Sequence, residues 1–229
     1  MSNKEIVVAL AGNPNSGKTT VFNNLTGARQ HVGNWPGVTV EKKEGMCSHA
    51  GRDVRIVDLP GVYSLTAYSP DEVVARNFIV EEHPDVVVDV VDASNLERNL
   101  YLSVQLMEIG VPLVLALNMM DQADAREHRI DVPALSRELG VPVVPMVASH
   151  GKGTGDLLAA IVSVADGKME SKAVKLQYGR EVEKEISKLE ESLKGKQPGG
   201  AYSARWLAIK LLESDEEVTN KLVGVKNVR

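Results

Sequence analysis

The chain alternates short apolar runs with longer amphipathic segments. Five runs rich in Val, Ile and Leu have strand length and sit between loop residues: 6–11, 55–58, 86–91, 111–117 and 141–145. Three of them, starting at Ile6, Val86 and Val111, lack the alternation of a half-exposed strand. Near-continuous apolar runs suit a sheet covered on both faces, usually parallel strands flanked by helices. Segments 18–25, 70–80, 100–109, 133–139 and 156–164 read as those helices. The β-α-β-α order predicts an α/β domain with a mostly parallel, doubly wound sheet. Residues 38–46 and 52–57, with a turn at 49–51, read as an inserted hairpin.

The pattern changes near Asp166. From there to Gly179 the chain is rich in Lys and Glu and shows no strand. Val182, Ile186, Leu189 and Leu193 then recur on one helical face. Gln197-Pro198-Gly199-Gly200 breaks that helix. A second helix is expected over 201–212, carrying Trp206, Ile209 and Leu212, and Ser214 before Glu216 and Glu217 is expected to cap a third. The expected domains are 1–166 and an all-helical 167–229, the latter read as truncated at its C-terminus. No internal repeat or low-complexity tract is present.

Composition narrows the function classes. Among 229 residues, 43% are apolar and 25% charged, which is ordinary for a folded globular chain. The balance of 26 cationic against 31 acidic side chains gives −5, and aromatics are 4%. Both argue against nucleic acid as a partner, which needs basic surface or stacking platforms. The single cysteine, Cys47, cannot form an internal disulfide and points to a reducing compartment; it reads as a structural thiol at a strand end. No apolar run approaches the ~18–20 residues of a membrane span, and the run at 6–11 is too short for a signal peptide. The chain is therefore expected to be soluble and not exported. His31, His49, His83, His128 and His150 show no metal-ligand spacing. The Glu/Lys-rich face of 181–194 reads as solvated, with i,i+4 pairs.

The chemistry lies at strand ends. Residues 12–19 match G-x-x-x-x-G-K-[ST], between an expected strand and an expected helix. Backbone N–H groups of such a loop curl around phosphate oxygens at the positive end of the helix. Lys18 would bridge the outer phosphates, and Thr19 would offer its hydroxyl to magnesium. Asp58-Leu59-Pro60-Gly61 ends another strand, where Asp58 can hold magnesium through water and the Gly61 N–H can meet the terminal phosphate. Asn118-Met119-Met120-Asp121 ends a third. A carboxylate accepts two hydrogen bonds, which suits the paired donors on one edge of guanine. A backbone N–H in Val147-Ala148-Ser149 is placed to meet the guanine carbonyl, and Thr39 is a candidate second magnesium ligand. Together the five features have the order of a regulatory GTPase.

The stretches 12–20 (GNPNSGKTT), 32–40 (VGNWPGVTV), 58–65 (DLPGVYSL), 91–102 (VDASNLERNLYL) and 118–121 resemble the cytosolic N-terminal region of FeoB, a family of bacterial ferrous-iron transporters. The resemblance implies a P-loop GTPase domain followed by a small helical domain acting as a GDP dissociation inhibitor. It implies contacts to the nucleotide from Gly12, Asn13, Asn15, Ser16, Gly17, Lys18, Thr19 and Thr20, with Asn118, Asp121, Ala148 and Ser149 reading the base. It implies magnesium at Thr19, Thr39 and Asp58, a first switch over 32–39 and a second beginning at 58–61. The tripeptide 147–149 departs from the common Ser-Ala-Lys pattern. The implied partners are GTP or GDP and the membrane permease of the same polypeptide, at the cytoplasmic face of the bacterial inner membrane; a homo-oligomer stays open. On that reading the missing membrane span reflects where the chain was cut.

One position matters for mechanism. Ras-like GTPases orient the attacking water with a glutamine, whereas Val62 follows the D-x-x-G here. In related GTPases with asparagine where Asn15 sits, bound potassium supplies the missing positive charge. Asn15 with carbonyls near Gly33 and Trp35 is the candidate potassium site, and Asn15, Lys18, Thr39 and Gly61 form the candidate catalytic set. Trp35 lies in a polar Gly/Pro segment, where an exposed indole is unusual; it either packs on the nucleotide, serves a partner or anchors its loop. Three readings compete. The first is the GTPase domain of an iron transporter. The second is a stand-alone GTPase of RNA modification or ribosome assembly. The third is a nucleotide sensor with vestigial turnover.

Overall fold

The apolar runs form the centre of a seven-stranded sheet in a computed structural model that describes residues 5–171, 176–194 and 202–226. The strands are β1 (Ile6–Gly12), β2 (Gln30–Asn34), β3 (Glu41–His49), β4 (Arg52–Asp58), β5 (Val86–Asp92), β6 (Leu113–Asn118) and β7 (Val143–Pro145). Their order is β2-β3-β4-β1-β5-β6-β7. The run from β4 to β7 is parallel; β2 and β3 are antiparallel at one edge. The helices are α1 (Lys18–Thr26), α2 (Pro70–Glu81), α3 (Leu96–Ile109), α4 (Met120–Ala125), α5 (Val132–Leu139), α6 (Thr154–Ala165), α7 (Arg180–Leu193), α8 (Ala204–Leu212) and α9 (Glu216–Lys226).

Burial explains the unbroken apolar runs. Along β1 and β5, Val8, Leu10, Val88 and Val90 face Phe22 of α1 and Ile161 of α6. Their neighbours Ala9, Val87 and Val91 face Ile79 of α2 and Leu102 and Leu106 of α3. Each strand thus feeds two cores, so both sets are predominantly apolar. Among the described residues no helix is long and apolar enough to cross a membrane.

Several boundaries differ from expectation for local reasons. Residues 38–40 are not strand: Pro36-Gly37 turns the chain back, with Val38 N–H donating to Trp35 O and Trp35 N–H donating to Val40 O. The strand therefore starts at Glu41, and its hairpin turns on Ala50 and Gly51, both at positive φ. Cys47 lies within β3, not at its end, and burial pushes its thiol up. The third helix of the tail is capped by Asp215, whose Oδ1 accepts from Val218 N at 3.0 Å, instead of by Ser214. The break expected at Gln197 to Gly200 lies outside the described residues. Among the described residues, the ion pairs within the α7 segment are i,i+3, Lys188 with Glu185 and Lys194 with Glu191, where i,i+4 pairs were expected. The tail packs Ile186, Trp206, Leu207 and Val218 against Val80 of α2.

One core residue carries a pH signature. Asp89 of β5 is 1% exposed, and its carboxylate accepts from Ser103 Oγ at 2.6 Å. Burial pushes its pKa up to about 7. The folded chain then keeps a proton that the unfolded chain releases near 3.8. This contribution to stability is full below about pH 4 and is lost as pH rises to about 7. Asp89→Asn keeps an acceptor for Ser103 and is expected to raise stability at pH 8 by on the order of 2–4 kcal/mol, with little gain at pH 4. Denaturant titrations at the two pH values check it; equal gains would mean that Asp89 does not titrate as assigned.

Candidate functional site

β1 delivers the chain into the loop 12–17 at the carboxyl edge of the sheet. Asn15 (φ 66°) and Gly17 (φ 88°) turn it into α1. Gly17 is demanded twice over: its φ is left-handed, and a Cβ there would lie 2.3 Å from Asn118 Nδ2. A Cβ on Gly12 would meet Val90 O at 2.7 Å. The result is an open cleft of about 500 Å³ lined by Asn13, Pro14, Asn15, Gly17, Lys18, Thr19 and Gly61.

Lys18 leaves the first turn of α1 and pairs with Asp58, the last residue of β4. Burial pushes the Asp58 carboxyl up, while the Lys18 and Lys43 ammonium groups pull it down. The segment after Asp58 is tied to the loop, since Val62 N–H donates to Gly12 O at 3.2 Å. The Val62 side chain is 5% exposed and packs in the core with Leu59 and Leu65. Asn13 and Ser16 are buried, and their side-chain polar atoms have no protein partner.

Asn118 joins the three motifs. Its Nδ2 donates to Ser16 O at 2.9 Å, and its Oδ1 accepts from Ala148 N at 2.9 Å. Asn24 Nδ2 holds Ala148 O at 2.7 Å from the α1 side. The Asn118 side chain therefore clips loop to loop, and the Ala148 N–H is taken by it. Ser149 next to it is exposed. Met119 (φ 61°) swings the chain so that Asp121, exposed, lies in the first turn of α4. These positioning roles are invisible in N-x-x-D as a motif. The one available hint was the Gly17 position, which needs something close beside it.

Of the expected site residues, Asn13, Asn15, Gly17, Lys18, Thr19 and Gly61 line the cleft; the base-motif residues, Ala148, Ser149, Asp58, Gly12 and Ser16 lie outside its lining, as do four others. Thr20 is exposed on α1, Thr39 is exposed in the loop before β3, and Gly33 is exposed in β2 opposite Lys42. For Trp35 the anchoring reading is the one its surroundings favour: its indole is 8% exposed, set edge-on to Phe78 with centroids 5.3 Å apart, with Lys42 5.0 Å from its ring. It anchors its loop to α2. An apolar ring beside a tight Pro-Gly turn is buried because α2 offers it a partner that the local sequence does not reveal. Among the described residues no group of three or more His, Cys, Asp or Glu could hold a metal ion.

A sequence model described as "Ferrous iron transport protein B" matches residues 6–161, and one described as "FeoB cytosolic helical domain" matches 178–228. The chain belongs to the FeoB family. It is 48% identical over 217 residues to the Fe(2+) transporter FeoB of Salmonella typhimurium, covering 93% of this chain and 27% of that protein. It is 47% identical over 223 residues to an Fe(2+) transport protein A/FeoB fusion of Porphyromonas gingivalis, covering 96% of this chain and 26% of that protein. The chain thus spans about a quarter of the length of these FeoB relatives. The cytosolic domain of T. maritima FeoB superposes in its apo form with a TM-score of 0.90 at 40% identity, over 97% of this chain and 86% of that one. Its GMPPNP form gives 0.89 at 40% identity, over 96% and 86%. The architecture is therefore the FeoB G domain with its helical domain.

Proposed function

We propose that this chain binds and hydrolyses GTP as the cytosolic part of a ferrous-iron transporter, with ferrous iron as cargo of the membrane portion of the same polypeptide. The observation that carries it is the Asn118 clip, whose side chain ties the phosphate loop at Ser16 and the 147–149 loop at Ala148 to the base motif. FeoB relatives solved with GDP and GMPPNP support the guanine reading. The match to a quarter of a transporter favours this over a stand-alone GTPase of RNA metabolism.

The donor set fits a hard cation: the exposed Thr19 hydroxyl and the Asp58 carboxylate are oxygen donors. Thr19 and Asp58 would hold magnesium, which would supply positive charge against the charge that develops on the phosphates. The chain's own residues do the rest. Lys18 meets the outer phosphates, the loop N–H groups cradle them, and the Gly61 N–H faces the terminal phosphate. Asp121 accepts the paired guanine donors and the Ser149 backbone meets the guanine carbonyl. Thr39 joins when its loop closes. Val62 cannot orient water, so the site lacks the usual water-holding side chain.

Two tests follow. Asp121→Asn is expected to lower GTP affinity at least 100-fold, about 2.7 kcal/mol, and to raise xanthine-nucleotide affinity; unchanged preference in calorimetric titrations would reject the base assignment. Asn15 offers a side-chain oxygen at the cleft for potassium. GTP turnover is expected to be several-fold faster in KCl than in NaCl at matched ionic strength, and Asn15→Ala is expected to remove the difference. Equal rates in the two salts would reject potassium stimulation.

A further inference from the structure

The segment that follows Asp58 is held by different means at its two ends. On the cleft side the ties are backbone: Leu59 N–H donates to Leu10 O at 3.0 Å, and Val62 N–H donates to Gly12 O at 3.2 Å. Gly61, between them, lines the cleft against Pro14. At the far end the tie is a side chain. Gln105 of α3 is 5% exposed, and its Oε1 accepts from Leu65 N at 2.6 Å in a buried bond. Its neighbours on α3, Leu102 and Leu106, are core residues. An apolar side chain at 105 would pack beside them without burying an amide; the glutamine answers the Leu65 N–H, which would otherwise be buried unmet. Two turns earlier on the same face of α3, the Arg98 guanidinium lies 4.5 Å from the centre of the Tyr63 ring. One helix thus grips the segment at Tyr63 and at Leu65.

We propose that Gln105 is a positioning residue for GTP hydrolysis, acting through the Leu65 N–H on the segment that carries Gly61. The inference rests on the GTPase reading above. Val62 has no polar side chain to hold water, so what this segment brings to the terminal phosphate is its backbone. The rate then depends on where that backbone stands relative to the phosphate loop. Gln105 fixes it from outside, since it does not itself line the cleft. GDP has no terminal phosphate, so its binding does not draw on this tie.

Gln105→Met keeps the length of the side chain and removes the acceptor. It is expected to slow single-turnover GTP hydrolysis at saturating nucleotide by roughly 10- to 100-fold, the scale for a small misplacement at a reacting centre. KM for GTP and the affinity for GDP are expected to stay within about twofold. Amide hydrogen exchange at Leu65 is expected to be at least tenfold faster. Gln105→Glu keeps an oxygen at the same reach and is expected to restore both the rate and the protection to within about threefold. Should Gln105→Met fail to fold, Gln105→Asn, one methylene short of Leu65 N, carries the same expectations. Unchanged exchange at Leu65 overturns the tie. Unchanged turnover, a loss of GDP affinity in step with the rate, or a Gln105→Glu rate as low as that of Gln105→Met overturns the positioning role. A parent chain that turns over no GTP overturns the GTPase reading itself and the positioning role with it.

Discussion

Lys18→Ala is expected to cut GTP turnover by 10²–10³-fold or more, the scale for losing one positioned charge from a transition state. The geometry gives two reasons. The ammonium leaves the first turn of α1, so it sits where the helix end and the loop N–H groups already favour phosphate. It is also the cation beside Asp58, which is 8% exposed. Removing it takes a phosphate contact away and leaves a buried carboxylate without its counter-charge. Burial already pushes the Asp58 carboxyl up; without Lys18 it rises further, and the carboxylate form that would hold magnesium through water becomes scarcer at neutral pH. Single-turnover rates at saturating GTP measure the first effect, and the pH dependence of the residual rate measures the second. Lys18→Arg keeps the charge but replaces the compact ammonium with a bulkier planar guanidinium, and is expected to restore stability without restoring rate. Turnover within threefold of the parent chain would remove Lys18 from the catalytic set.

The parts of this site that were legible in the sequence are those set by local chemistry. A strand, a glycine loop and a helix in succession leave few alternatives for residues 12–19, because the turn needs left-handed backbone that glycine adopts most readily and the helix end attracts phosphate. The positions of Asp58, at the end of β4, and Asp121, just after β6, could be read from the strand ends, where an open α/β sheet exposes its loops. What escaped was set by distant partners. β2 has no apolar pattern at all, since Gln30 to Asn34 is exposed throughout and held by backbone pairing to β3. Edge strands of this kind carry no periodicity to read. α4 begins within the base motif, after Met119 in a left-handed turn, so no run of its own announces it. α3 starts at Leu96, four residues before the apolar pattern begins, because Asp92 accepts from Ser94 N at 2.8 Å and sets up the preceding turn. For Trp35 the polar neighbours left three readings open; Phe78, 43 positions along the chain, is what covers it. The clip made by Asn118 escaped because its position in N-x-x-D says nothing of Ser16 or Ala148.

Arg76→Ala is expected to destabilise the folded chain by about 3–5 kcal/mol, the scale for breaking a buried ion pair by removing one partner. Arg76 stands on α2, the helix that follows the Asp58 to Gly61 segment, and its side chain is 2% exposed. Its guanidinium donates to Asp215 Oδ2 at 2.7 Å and pairs with Glu217, and it lies 5.9 Å from the Trp206 ring. Asp215 is itself 5% exposed on its side chain and caps α9 through Val218 N–H. One arginine thus neutralises two carboxylates at the start of α9 while fixing α2 to the helical domain. Truncation leaves Asp215 buried beside a cavity, with only its capping bond intact. The melting temperature is expected to fall by roughly 10 °C, given about 2–4 °C per kcal/mol for a chain of this length. Asp215→Asn retains the cap acceptor and removes the charge, so in the Arg76→Ala background it is expected to cost much less than in the parent chain. That shortfall from additivity is the measured coupling of the pair. Additive losses, or an Arg76→Ala cost below about 1 kcal/mol, would place Arg76 among exposed surface pairs and deny it the role of fixing α2 to the helical domain.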